Sequence, residues 1–72
     1  MGALEILSVV ALLEDVADPC VRRGQVGTVV EELAPGVYEV EFSDDQGQTY
    51  ASLPLRTDQL LVLRHDPAHQ AA

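Results

Sequence analysis

The 72-residue chain reads as an all-β, SH3-like barrel of about five short antiparallel strands, with one helical turn before the last. Three observations predict this. Short runs rich in Val, Leu and Ile recur between turn-forming clusters, and one of them alternates cleanly. The only aromatic residues are Tyr38, Phe42 and Tyr50, so the core must be built from aliphatic side chains that suit a small sheet curled on itself. "RTDQL" has the character of a single tight helical turn and precedes a final apolar run. Residues 1–64 form one domain on this reading, with an open four-stranded antiparallel sheet as the competing architecture.

In chain order, "EILSVVALLEDV" is ambiguous by period alone, because its apolar residues can share either a helical or a strand face. A strand over Ser8 to Glu14 completes the barrel. "DVADPC" ends it, since Asp15 and Asp18 are loop residues and Pro19 lacks the amide a central strand needs. Arg23-Gly24 leads into a second strand, Gln25 to Leu33. Here strict alternation puts Val26 and Val30 on one side and Val29 and Leu33 on the other, so a bulge at Gly27 is expected to restore the phase.

Pro35-Gly36 closes a hairpin, proline presetting φ at one position and glycine permitting the next. On the return, Tyr38, Val40 and Phe42 alternate with Glu39 and Glu41, giving one apolar and one acidic face. "SDDQGQ" turns at Gly47 into "TYASLPL", where Tyr50 and Leu53 are candidates for burial and Pro54 marks an edge or an end. Thr57 or Asp58 caps the helical turn, and Leu60 to Leu63 is the last strand. The tail 65–72, "HDPAHQAA", lacks an apolar pattern and is expected to be disordered.

Composition bears on function mainly through charge. Twelve acids against four arginines, with no lysine, leave a net charge of −8. Neutralising nucleic-acid phosphates requires cationic side chains, and Arg22, Arg23, Arg56 and Arg64 stand against that acidic background. An acidic surface instead favours solubility or rapid encounter with a basic protein. The lone Cys20 excludes an intrachain disulfide framework and fits a reducing compartment. With Glu5 and no early Lys or Arg, and with Ile6 to Leu13 too short to span a bilayer, a cytoplasmic location without membrane association is expected.

No constellation points to catalysis or to a cofactor. Ser8, Ser43 and Ser52 lack a nucleophile-elbow context, and His65 and His69 lie in the tail. His65, Asp66 and His69 have a spacing that can grip a metal on a helix, but Pro67 interrupts it, so no metal is expected. The glycines of "GQVG" feed a strand rather than the helix N-terminus a phosphate loop requires. The acidic residues carry more interest: Glu39 and Glu41 face outward, Glu31 is placed beside them on the partner strand, and Asp44 and Asp45 extend the charge into the next turn. These five are the candidate partner-binding residues. Gly24, Gly27, Pro35, Gly36 and Gly47 are the candidate structural turns.

The arrangement "VVALLEDV...VRRGQVGTVVEEL..GVYEVEFSDDQGQTYASLPLRTDQLLVL" resembles a bacterial family known as domain of unknown function 4926. Val10, Leu12, Arg23, Gly24, Gly27, Thr28, Val29, Val30, Tyr38, Val40, Glu41, Phe42, Gly47, Tyr50, Leu60 and Leu61 carry the resemblance. It implies a free-standing SH3-like barrel, some members being partners of larger companion proteins in the manner of an antitoxin or immunity protein. It implies no catalytic residue. "RRGQVGTVVE" is also similar to the KOW-type segment of ribosomal and transcription proteins, without its usual basic residues. The expectation is therefore a non-catalytic module that binds a basic protein. The alternatives are a KOW-like nucleic-acid-binding barrel using Arg22, Arg23 and Arg56, and a structural homo-oligomer.

Overall fold

A computed structural model describes residues 4–64. Its five strands are β1 (Val9–Leu12), β2 (Val26–Ala34), β3 (Val37–Ser43), β4 (Thr49–Arg56) and β5 (Leu60–Val62), with a 3₁₀ turn at Thr57–Gln59 joining the last two. They form one antiparallel sheet in the order β4-β3-β2-β1-β5. The fold is all-β, with its single helical turn before the last strand. Five strands replace the four-stranded alternative, because β1 bridges β2 and β5. The expected tail 65–72, with His65, Asp66 and His69, lies outside the described residues.

The pleat turns one face of the curled sheet inward. One inward row runs Val62–Val10–Gly27–Phe42–Ala51, the next includes Val29–Val40–Leu53, and Leu12–Leu60 and Tyr38–Leu55 complete the set. With Val21 from the β1–β2 connection, the side chains of these rows, apart from the exposed Val62 at the sheet edge, make a single buried cluster against which Leu4 and Val16 pack. Burying a side chain of this class contributes about 1.5–3 kcal/mol relative to leaving it exposed. The hydroxyl of the buried Tyr38 accepts a hydrogen bond from the Leu4 amide at 3.1 Å, so its polar tip has a partner.

The phase change in β2 has a different origin from the expected bulge at Gly27. Gly27 pairs regularly with Val10 on one side and Phe42 on the other, whereas register shifts fall between Val29 and Glu31 and between Glu32 and Ala34. Val30 and Leu33 are therefore the extra residues. Gly27 is neither a turn nor a bulge: it is glycine because a Cβ there would lie 2.8 Å from the Glu41 carbonyl oxygen, 2.8 Å from Val40 Cγ1 and 2.9 Å from Phe42 Cδ2. The hairpin after it turns at Pro35-Gly36, where the proline ring holds φ negative and Gly36 takes φ 78°. Gly24 and Gly47 also have positive φ.

Two further expectations change. Tyr50 is not buried, because β4 carries an extra residue opposite Phe42 and Ser43 and the ring is displaced outward to 44% exposure. Leu53 faces the core as expected, joined by Ala51 and Leu55. The helical turn is entered from Arg56 rather than capped by Thr57 or Asp58: the Arg56 amide donates to Gln59 Oε1 at 2.8 Å. At the N-terminus, Ser8 N–H bonds to the Glu5 carbonyl at 3.1 Å, closing a turn in which Leu7 has φ 75° and stands 70% exposed. A leucine in the left-handed region costs about 1–2 kcal/mol relative to the right-handed one.

Two stability outcomes follow from these positions. Gly27→Ala should destabilise by roughly 1–3 kcal/mol through overpacking, because one of the three obstructing atoms is β3 backbone and the other two belong to fully buried β3 side chains. Leu7→Asn should stabilise by about 0.5–1 kcal/mol, since asparagine tolerates positive φ and the lost side chain is mostly in water. Thermal melts read both, each kcal/mol shifting the midpoint by about 4–8 °C in a domain this small.

Candidate functional site

The outward face of the sheet divides into an acidic and an apolar part. On β2 and β3, Glu31 lies directly opposite Glu39, and Glu41, two residues further along β3, lies opposite Thr28. On the other side of β3, Glu39 is opposite Pro54 and Glu41 opposite Ser52. The Ser52 hydroxyl donates to Glu39 Oε2, which holds that carboxylate in place over β4. Three of the five candidate acids, Glu31, Glu39 and Glu41, thus converge on one surface.

Asp44 and Asp45 follow in the β3–β4 turn, where they play different parts. Asp44 Oδ1 accepts from the amides of Gln46 and Gln48, both at 2.9 Å, and the Asp44 backbone closes the turn with Gln48 and Gly47. This carboxylate is engaged in shaping the turn, as aspartates at such positions often are. Asp45 beside it is exposed and makes no hydrogen bond among the described residues.

The arginines are distributed among carboxylates rather than gathered. Arg22 and Arg23 line an open cleft of about 510 Å³ with Leu13, Glu14 and Asp15, in the connection between β1 and β2. Within it, Asp15 Oδ1 accepts from the Arg23 amide at 2.8 Å. Arg56 Nε bonds Asp58 Oδ1 at 3.0 Å, the only ion pair among the described residues and an exposed one. None of these arginines is paired with Glu31, Glu39 or Glu41.

The same connection forms a smaller hollow of about 260 Å³ lined by Asp15, Val16, Ala17, Cys20, Val21 and Arg22, closed at its neck by a bridge between Val16 and Val21. Cys20 is an exposed free thiol there. No cluster of metal-ligating side chains occurs among the described residues.

Two polar links escaped the sequence reading. Gln59 accepts from the Arg56 amide and donates through Nε2 to Glu14 Oε2 at 2.9 Å, tying the 3₁₀ turn to the end of β1. Gln25 accepts from the Arg22 amide and donates to the Tyr50 hydroxyl, joining the β1–β2 connection to β4. A glutamine gives no local pattern; only the assembled register brings these partners together. The outward apolar row Leu61–Ala11–Val26 was missed for the same reason. Leu61 is 52% and Val26 49% exposed.

Comparison with curated proteins and with solved structures returns no match. Comparison with protein families matches residues 6–62, which span all five strands, to the family described as Domain of unknown function (DUF4926). The match covers most of the chain, and the protein belongs to this family.

Proposed function

We propose that the protein is a non-catalytic binding module that docks a larger companion protein with a basic surface, in the manner of an antitoxin or immunity protein acting in the cytoplasm. The observation that carries this reading is the direct opposition of Glu31 and Glu39, with Glu41 beside them and no arginine paired to any of the three. Like charges opposed across an antiparallel ladder destabilise by up to about 1 kcal/mol. In a domain of 72 residues that is a sizeable fraction of the expected stability.

A basic partner would offset this cost only when bound. Its cations would neutralise the three carboxylates, and Asp45 would extend the field beyond the end of β3. Such a surface raises association rates and selects against acidic competitors more than it adds raw affinity. The surrounding outward side chains supply contact area without competing cations, since Thr28, Ser52 and Pro54 are the cross-strand neighbours of the acids.

Charge reversal separates the two roles of the face. Glu39→Lys/Glu41→Lys should leave the fold intact, raise stability by a few tenths of a kcal/mol through relief of repulsion, and weaken binding at least tenfold. The measurement is co-purification of one stoichiometric companion from the native source, followed by titration of wild type and variant at two salt concentrations. Recovery of no companion, or equal affinity for wild type and the double variant, refutes the assignment.

A further inference from the structure

We infer that the free edge of β5 pairs with the β5 edge of a second copy, joining two sheets about a two-fold axis beside Leu61. The inference starts from backbone accounting. The Leu13 amide donates to the Gln59 carbonyl at 2.8 Å and the Leu63 amide to the Val9 carbonyl at 2.9 Å, so odd-numbered residues of this strand bond to β1. By the alternation of an antiparallel ladder, Leu60 and Val62 direct their N–H and C=O groups away from β1. The Leu60 amide is taken by the Thr57 carbonyl. That leaves the Leu60 carbonyl and both backbone groups of Val62 without a partner among the described residues.

The opposite edge of the sheet is managed differently. The Thr57 amide bonds the Gly36 carbonyl at 3.1 Å, which continues the β3–β4 ladder and turns the even-numbered residues of β4 outward. Of these, Pro54 has no N–H and the Arg56 amide is occupied by Gln59 Oε1. Only Ser52 retains an outward N–H in that stretch. Proline and committed amides are recognised ways of preventing strand addition. β5 has no proline and commits only its Leu60 amide, carries no charge between Leu60 and Val62, and exposes Leu61 at 52% and Val62 at 36%.

A second copy fits this edge in one register. With the two-fold beside Leu61, the Val62 amide of each chain donates to the Leu60 carbonyl of the other, which uses two of the three open groups and leaves the Val62 carbonyl opposite the occupied Leu60 amide. Leu61 then faces Leu61 of the second copy as a non-hydrogen-bonded pair, the pair type with the closest side chains. The outward row Val26–Ala11–Leu61 continues across the axis into the same row of the copy. Arg64 of each chain falls opposite Asp58 in the 3₁₀ turn of the other, an exposed carboxylate that it would share with Arg56.

The net charge of −8 does not oppose this contact strongly. Glu31, Glu39 and Glu41 sit on β2 and β3, so the two acidic faces are separated by roughly 24–34 Å at about 4.8 Å per strand, well beyond the screening length of about 8 Å at physiological salt. The contact is small and belongs with weak, concentration-dependent interfaces.

The test is sedimentation equilibrium on the full chain from about 10 µM to 1 mM, the range in which a weak interface is resolved. The expected result is a mass that doubles and stops at two copies. Val62→Pro, which removes the outward amide, and Leu61→Lys, which places a charge at the axis, should each hold the mass at one copy while retaining the wild-type circular dichroism spectrum. Arg64→Asp should weaken association, and Asp58→Arg/Arg64→Asp should restore it. A single-copy mass throughout overturns the inference, as does any multimer that persists in a folded Leu61→Lys variant. The proposed docking of a basic companion on Glu39 and Glu41 is independent of either result.

Discussion

The space missing at Gly27 is the constraint on which the rest of the molecule depends. In the row Val62–Val10–Gly27–Phe42–Ala51, the central strand contributes no side chain, and the Phe42 ring and Val40 occupy the volume a Cβ would need. Large neighbours on both sides of a bare backbone allow the sheet to curl tightly, so that strands from both halves share one buried cluster. A flat five-stranded sheet of this size would leave its inward face half in water. Curling therefore decides whether 72 residues can make a core at all.

Much of this organisation was legible in the sequence, and the parts that were not share a cause. The alternation of Tyr38, Val40 and Phe42 with Glu39 and Glu41 reads directly as a strand with two unlike faces, and Pro35-Gly36 reads as a turn because its chemistry is local. The glycine at position 27 was equally visible, but its reason was not. Two explanations, a bulge and a close approach, demand the same residue type, and only the neighbouring strand tells them apart. The real bulges at Val30 and Leu33 sit at residues with no conformational signature. Tyr50 looked like core because it is aromatic in a strand; one extra residue on β4 turned it outward.

The acidic residues show the same division between local and assembled information. Period-two alternation places Glu39 and Glu41 on one face from sequence alone, while the opposition of Glu31 to Glu39 depends on the bulge at Val30 that shifts the register between them. Asp44 belonged to the same run of charge, yet its carboxylate serves the turn. The arginines, by contrast, are dispersed: Arg22 and Arg23 stand with Glu14 and Asp15 in one cleft and Arg56 with Asp58. Opposite charges thus meet at the β1–β2 connection and the 3₁₀ turn, whereas Glu31, Glu39 and Glu41 have no arginine paired with them.

Gln59 gives the fold one further property. β4 and β5 are consecutive in the chain but share no ladder, and the side chain of Gln59 spans the gap, holding the Arg56 amide with its oxygen and Glu14 with its nitrogen. Elsewhere neighbouring strands are held by several backbone hydrogen bonds that must break together. Here the strands are joined by the 3₁₀ turn, the Gln59 side chain and the shared core, without a ladder of their own, and regions held by few hydrogen bonds open at low free energy. The side of the molecule between β4 and β5 therefore has the fewest backbone bonds to break in a local opening.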